Sequence, residues 1–157
     1  MTYRVCLVCM GNICRSPMAE TVLRRTLDEH GLGERVAVDS AGTGGWHVGD
    51  PMDERALRTL SEHGYDGSAH RARQFTSGWF DRYDLVLAMD RDNLSFLRRI
   101  APDGVEVLLF RSFDPAARAG AEVPDPYYGG PEGFEEVLRL VEAASEGVAK
   151  HIADEID

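Results

Sequence analysis

One ten-residue stretch, Val-Cys-Met-Gly-Asn-Ile-Cys-Arg-Ser-Pro at positions 8–17, constrains this chain more than any other part. The apolar run before it predicts a buried strand over residues 3–9. The helix pattern after it predicts Ser16 as N-cap and Pro17 at the first helical position. Where a short loop joins a strand to a helix, backbone N–H groups converge at the positive end of the helix dipole. The stretch therefore predicts a loop that wraps a tetrahedral oxyanion.

The side chains of this loop suit an anion and a reactive thiol. Arg15 offers a planar fork of donors to two oxygens of the anion. Cys9 lies near a helix N-terminus and a guanidinium, and both lower the pKa of a thiol. Gly11 lets the backbone approach the anion, and Asn12 tolerates a left-handed conformation. The residues expected to bind the oxyanion are Met10, Gly11, Asn12, Ile13, Cys14, Arg15 and Ser16.

A plainer interpretation treats Cys9 and Cys14 as small buried apolar residues and Arg15 as a surface charge. The Gly-Asn pair, the Ser-Pro helix start and the preceding strand together favour the anion site. The loop lacks the Gly-Lys-Ser/Thr ending of a Walker nucleotide loop, so a Mg-nucleotide site is not expected. We therefore interpret Cys9 as a nucleophile aimed at phosphorus, with the Ser16 hydroxyl as a donor to its thiolate.

Strand and helix patterns alternate along the rest of the chain, which is typical of βαβ units around a parallel sheet. Strands are predicted at residues 3–9, 35–40, 85–89 and 105–110. Helices are predicted at residues 17–30, 54–63, 76–82 and 131–156, with one more that opens at Asp90 and Asn93 and ends near residue 101. No internal repeat or interdomain linker is visible, so residues 1–157 are expected to form a single α/β domain.

Charge and cysteine content limit the possible partners and compartments. With 27 acidic against 17 basic residues the net charge is −10, so nucleic acid is not an expected partner. Neither a membrane span nor a secretory signal is visible. The three cysteines all lie within the first fourteen residues, which favours a working thiol in a reducing cytoplasm over a disulfide framework. Cys6, on the strand face opposite Cys9, is expected to pack in the core.

At residues 9–17 the sequence resembles the low-molecular-weight protein tyrosine phosphatases, whose signature Cys-x-Gly-Asn-Ile/Leu-Cys-Arg-Ser-Pro it matches throughout. The resemblance is to bacterial-type members and covers nearly the whole chain. It continues at Asp39-Ser40-Ala41-Gly42-Thr43, Trp46-His47-Val48-Gly49, His70-Arg71-Ala72-Arg73, Met89-Asp90 with Asn93, and Asp125-Pro126-Tyr127-Tyr128-Gly129. The first and last of these motifs are the most specific.

Together with right-handed crossovers, the resemblance implies a three-layer α/β domain. Its four-stranded parallel sheet is doubly wound in the order 2-1-3-4, with helices on both faces. The switch point then lies between the first and third strands. The Cys9 loop, Ser40, Asp90 and the long loop at residues 111–130 are expected to meet at the carboxyl edge of this sheet.

The resemblance also implies a metal-free hydrolysis of phosphotyrosine in two steps, without a cofactor. Cys9 forms a phosphocysteine, Arg15 and the loop N–H groups hold the phosphate, and Asp125 acts as general acid and then as base. From the sequence alone Asp125 is equally a turn-forming residue, and the family match decides for the acid. Protonating a phenol, whose pKa is about 10, is worth roughly 10² to 10⁴ in rate. A bell-shaped pH profile with a mildly acidic optimum is expected.

Supporting roles come from the resemblance as well. Ser40 and His70 are expected to hold the anion loop in shape through hydrogen bonds, together with Asn12 and Ser16 inside the loop. For Asp90 the simple expectation is a helix cap, with an added supporting role near the site.

The expected walls of the substrate pocket are Trp46, His47, Tyr127 and Tyr128. For Trp46 the sequence is equally compatible with packing under its glycine-rich loop and with stacking on a flat substrate, and the resemblance favours stacking. For the two tyrosines ordinary loop packing stays open. In relatives, tyrosines here are implicated in substrate choice and as phosphorylation sites.

Cys14 has two interpretations. It packs beneath the anion, or it is a resolving thiol that forms a reversible disulfide with Cys9, as in relatives.

The expected partners are tyrosine-phosphorylated proteins as substrates and phosphate and vanadate as competitive ligands, and the chain is expected to be a monomer.

Three other functions share parts of this motif. An arsenate reductase of similar fold would use further thiols, and no cysteine follows Cys14. A phosphocysteine carrier that serves a sugar-transport partner needs no leaving-group acid, which Asp125 would supply. A phosphotyrosine-binding module without catalysis does not need Cys9, Arg15 and Asp125 together.

Overall fold

The computed structural model describes residues 2–156. Within them the chain forms one four-stranded parallel sheet in the order β2-β1-β3-β4. The strands are β1 (Tyr3–Cys9), β2 (Val36–Gly42), β3 (Leu85–Ala88) and β4 (Val107–Leu109). The predicted order 2-1-3-4 is confirmed.

Four α-helices cover the two faces of this sheet: α1 (Arg15–Glu29), α2 (Glu54–Glu62), α3 (Arg91–Ile100) and α4 (Pro131–Ile156). Two short 3₁₀ helices lie at Ser77–Arg82 and Phe110–Phe113. Helices α1, α2 and α4 pack on one face, and α3 with the first 3₁₀ helix packs on the other. The predicted three-layer, doubly wound α/β domain is therefore confirmed.

The central strand β1 is apolar because both of its faces are covered. Val5, Leu7 and Cys9 belong to the core under α1 and α4, whereas Cys6 and Val8 belong to the core under α3. Side chains alternate between the two faces of a strand, so Cys6 and Cys9 point in opposite directions as predicted. Cys6 is fully buried, and Cys9 lies at the last residue of the strand, at the edge of the sheet.

The structure corrects three boundaries. Helix α1 begins at Arg15, so the prediction that Ser16 is its N-cap is wrong: Cys14 occupies the cap position and Ser16 lies inside the helix. Strand β2 continues to Gly42, because its pairing with β1 runs to Cys9↔Gly42. Strand β4 is shorter than predicted, since the chain turns into a 3₁₀ helix at Phe110.

The carboxyl ends of β1, β2 and β3 lie side by side, because all three strands run in one direction. Cys9 is the last residue of β1, and Thr43 and Asp90 lie just beyond β2 and β3. Such an edge is where open α/β sheets bind ligands. No helix in residues 2–156 is both long enough and apolar enough to cross a membrane.

Helix α4 fits closely against the second 3₁₀ helix at Gly147. A Cβ atom at Gly147 would overlap the carbonyl oxygen of Phe113. We expect Gly147→Ala to lower the free energy of unfolding. Overpacking should cost about 1–3 kcal/mol, and the higher helix propensity of alanine offsets this by about 1 kcal/mol at most. Urea denaturation monitored by circular dichroism measures the change.

The matched control is Gly133→Ala on the same helix, where the nearest atom would lie at an ordinary 3.4 Å. Its unfolding free energy should stay the same or rise slightly. Equal destabilisation of both variants would contradict the close contact at Gly147.

Candidate active site

The loop from residue 9 to residue 16, called the phosphate loop below, folds around a left-handed residue. Asn12 has φ 59°, and among residues 2–156 no other non-glycine residue has a positive φ. The turn brings the N–H of Asn12 to 3.3 Å from the Sγ of Cys9. Gly42 lies directly under the turn, where a Cβ would approach the Met10 carbonyl oxygen to 2.7 Å. The backbone of β2 therefore supports the loop, and a side chain at residue 42 would displace it.

The direction of the hydrogen bonds around Asn12 is fixed by one backbone donor. The N–H of Arg73 can only donate, and it donates to the Oδ1 of Asn12 at 2.8 Å. The Nδ2 of Asn12 must then donate to the Ser16 hydroxyl at 2.8 Å and to the Ser40 hydroxyl at 3.0 Å. With its oxygen accepting from Asn12, Ser16 is free to donate its own hydrogen to the Sγ of Cys9, at 3.0 Å. A thiolate at Cys9 is thus met by two donors.

Glu20 and His70 complete the support behind the loop. The Ser40 hydroxyl donates to the Oε1 of Glu20 at 2.5 Å. The Nε2 of His70 donates to the carbonyl oxygen of Asn12 at 2.7 Å, which fixes the proton on that nitrogen. Its Nδ1 lies 3.9 Å from the same Glu20 oxygen. Burial lowers the pKa of His70, against the raising effects of Asn12 and Glu20.

Arg15 is buried and clamped from one side. Its Nη1 donates to the Oδ2 of Asp90 at 2.7 Å and to the carbonyl oxygen of Val123 at 3.0 Å. Asp90 also caps α3, because its Oδ1 accepts from the N–H of Asn93 at 2.7 Å. Burial lowers the pKa of Arg15, but Cys9 and the nearby carboxylates more than offset it, so the pKa lies above its usual value. The Asp90 carboxylate therefore caps the start of α3 and also orients the guanidinium of Arg15.

Asp125 faces Arg15 from the segment at residues 123–130, which is called the acid loop below. Its Oδ2 is 3.8 Å from the Nη2 of Arg15, and its Oδ1 accepts from the N–H of Tyr127 at 3.1 Å. The side chain is about one-third exposed, so a ligand can reach it from the cavity.

A cavity of about 380 Å³ opens above Cys9. All four residues expected on its walls are present, and Asp125 and Arg15 also face it. The Trp46 ring lies over Gly44 yet is 71% exposed, so it lines the rim rather than packing under its loop. Tyr127 and Tyr128 meet edge to face, with ring centroids 4.9 Å apart. The floor is polar and the walls are aromatic, which suits a phosphate on a flat ring.

The thiols differ in their surroundings. Burial raises the pKa of Cys14, and Asp53, Cys9 and Asp125 raise it further, so Cys14 stays protonated at neutral pH. Burial also raises the pKa of Cys6, which does not line the cavity.

Within residues 2–156 there is no group of three or more His, Cys, Asp or Glu residues suited to hold a metal ion.

Several residues of the site have no signal in the sequence. Glu20 reads as an ordinary charge on a helix, and the contributions of Arg73 and Val123 come from backbone atoms. Gly42 is part of a motif quoted above, but its contact with the phosphate loop follows only from the β1–β2 register.

A thiol under a buried arginine, with a carboxylate across the cavity, is the arrangement of a thiol-based enzyme that acts on a tetrahedral oxyanion. The family model for low molecular weight phosphotyrosine protein phosphatase matches residues 4–157. A low molecular weight protein-tyrosine-phosphatase of Streptomyces coelicolor is 55% identical, over 100% of this chain and 98% of its own.

Solved structures of similar fold point to the same family. A protein tyrosine phosphatase from Entamoeba histolytica, with Hepes in the active site, has a TM-score of 0.93 and 34% identity and covers 98% of this chain and 99% of its own. Vibrio vulnificus Wzb in complex with benzylphosphonate has a TM-score of 0.83 and 30% identity, over 96% of this chain and 99% of its own. The chain belongs to the low molecular weight phosphotyrosine protein phosphatase family and is accordingly a hydrolase of phosphoric monoesters.

The lowered pKa of His70 predicts a pH effect on stability. Because the pKa in the unfolded chain is about 6.5, the unfolded state binds the proton first as the pH falls. The contribution of neutral His70 is complete above pH 6.5 or so and is lost as the pH falls from there through the lower folded-state pKa.

His70→Gln keeps a donor toward Asn12 but cannot titrate. We expect the stability advantage of the natural chain over this variant to shrink below that pH, as measured by urea denaturation across the range. An advantage that grows on acidification would contradict the neutral, buried histidine.

Proposed function

We propose that this phosphatase hydrolyses phosphotyrosine through a phosphocysteine intermediate on Cys9. The observation that carries the proposal is the placement of the Cys9 Sγ. It lies on the floor of the cavity, 3.3 Å from the N–H of Asn12 and 3.0 Å from the Ser16 hydroxyl. Arg15 and Asp125 face the same space.

In the first step the thiolate of Cys9 attacks phosphorus in line. The S–P bond forms as the P–O bond to the phenol breaks, and Asp125 gives its proton to the leaving oxygen. Arg15 and the N–H groups of the phosphate loop hold the equatorial oxygens and stabilise their charge. The positive charge of Arg15 is held in a fixed position, because its Nη1 donates to Asp90 and to the carbonyl oxygen of Val123.

In the second step Asp125, now ionised, takes a proton from water. The water oxygen attacks phosphorus, the S–P bond breaks, and phosphate and the thiolate are released. Since charge is neutralised by Arg15 and backbone donors, we propose that the reaction needs no metal ion or cofactor.

The cavity supports an aryl phosphate as the substrate. Trp46, Tyr127 and Tyr128 offer aromatic walls above the phosphate loop, and a neighbour of the same fold binds benzylphosphonate. We propose that the chain acts as a monomer on tyrosine-phosphorylated proteins in the cytoplasm, and that phosphate and vanadate compete for its phosphate loop. The position of Asp125, 3.8 Å from Arg15, favours hydrolysis over a phosphocysteine carrier.

The direct test is turnover of p-nitrophenyl phosphate with and without vanadate. We expect vanadate to inhibit competitively, and Cys9→Ser to abolish turnover, because a hydroxyl is not ionised at neutral pH. A chelator should have no effect. Activity retained by Cys9→Ser would contradict the mechanism, and loss of activity in a chelator would contradict its metal-free part.

We also propose that Cys14 protects Cys9 from irreversible oxidation. Both line one cavity, and a protonated Cys14 leaves Cys9 as the thiol that peroxide attacks first. Peroxide would convert Cys9 to a sulfenic acid, and the Cys14 thiol would displace water from it to form the disulfide.

Peroxide inactivation of the natural chain should therefore be reversed by dithiothreitol, whereas Cys14→Ser should lose activity irreversibly. Cys6→Ser, which changes a thiol outside the cavity, is the control and should recover. Full recovery of Cys14→Ser would show that Cys14 has only a packing role.

A further inference from the structure

Asp53 connects the phosphate loop to the start of α2. Its N–H donates to the carbonyl oxygen of Ile13 at 2.9 Å. Its carboxylate caps α2 by accepting from the N–H of Arg55 at 2.8 Å. The side chain of Arg55 grips the same carboxylate twice, from Nε to Oδ1 at 3.1 Å and from Nη2 to Oδ2 at 2.9 Å. The guanidinium of Arg55 is therefore anchored to the framework that carries the phosphate loop.

The remaining nitrogen of this guanidinium reaches the acid loop. The Nη1 of Arg55 donates to the carbonyl oxygen of Tyr127 at 2.9 Å. The guanidinium carbon also lies 5.2 Å from the ring centroid of Tyr127 and 4.8 Å from that of Phe134, within cation–π range. This hydrogen bond joins the acid loop to helix α2.

The residue that Arg55 holds is the residue that orients the acid. The N–H of Tyr127 donates to the Oδ1 of Asp125, which leaves the Oδ2 facing the cavity and Arg15. A continuous path thus runs from Ile13 in the phosphate loop through Asp53 and Arg55 to Asp125.

We propose that Arg55 is a positioning residue for the proton transfer. It fixes the backbone of Tyr127 so that the Asp125 carboxyl group stays within hydrogen-bond reach of the leaving oxygen. The inference rests on the proposed function, in which Asp125 is the general acid. Arg55 does not line the cavity, so it acts through Asp125 and not on the substrate. A small misplacement of a catalytic group costs a large factor in rate.

The test uses the leaving group as the readout. A general acid matters for phenyl phosphate, whose leaving phenol has a pKa of about 10, and little for 2,4-dinitrophenyl phosphate, whose leaving group needs no proton. For Arg55→Met we expect kcat/KM to fall about 10-fold with phenyl phosphate and by roughly twofold or less with the dinitrophenyl ester. The Kd for vanadate should stay unchanged, because the phosphate loop keeps its own hydrogen bonds.

Two further variants separate positioning from general damage. Arg55→Lys keeps the charge and one donor but loses the two-pronged grip on Asp53, so its loss should be intermediate. Arg58→Met removes the same charge from an exposed arginine of the same helix, and it should behave like the natural chain with both esters.

The Asp125→Asn variant distinguishes failure of this inference from failure of the proposed function. It should show the same leaving-group dependence more strongly, and adding Arg55→Met to it should cause no further loss. If Asp125→Asn is selective and Arg55→Met slows both esters equally or neither, the positioning role is wrong. If Asp125→Asn itself shows no selectivity, the proposed general acid is wrong, and this inference falls with it.

Discussion

The hydrogen bonds that hold Asn12 in a left-handed conformation determine the rest of the site. A left-handed non-glycine residue is costly unless its surroundings specify it. Here the amide accepts from a backbone N–H and donates to two hydroxyls, while His70 donates to the carbonyl oxygen. These contacts direct the Ser16 hydroxyl and the Asn12 N–H at the Cys9 sulfur. The conformation of the loop therefore decides which donors face the thiol.

The parallel sheet makes this arrangement possible. Strands β1 and β3 place Cys9 and Asp90 at the same edge, so that Asp90 caps α3 and holds Arg15 with its two oxygens. Strand β2 ends under the phosphate loop in Gly42, which leaves room for the turn. Positive potential at the site is therefore local, in a chain whose net charge is −10.

The loop could be predicted from local patterns, namely an apolar strand, a Gly-Asn pair and a Ser-Pro helix start. The strand order was predicted from the family resemblance together with right-handed crossovers. The prediction that Ser16 is the N-cap of α1 was wrong, because the helix begins one residue earlier, at Arg15. The Ser16 hydroxyl contacts the Cys9 sulfur instead. Glu20, Arg73 and the Arg55 link could not be predicted. Glu20 accepts from the Ser40 hydroxyl, Arg73 donates through its N–H to Asn12, and Arg55 donates to the carbonyl oxygen of Tyr127. Only the tertiary fold brings these groups together.

The central claim is that phosphorus becomes bonded to the sulfur of Cys9 during turnover. The most direct measurement mixes Asp125→Asn with p-nitrophenyl phosphate, stops the reaction in alkaline denaturant within milliseconds to seconds, and locates the added phosphoryl group by peptide mass spectrometry. Because this variant lacks the base that activates water, the account predicts accumulation of one phosphoryl group on the peptide that contains Cys9. A phosphoryl group on another residue, or none while nitrophenol is still released, would contradict it.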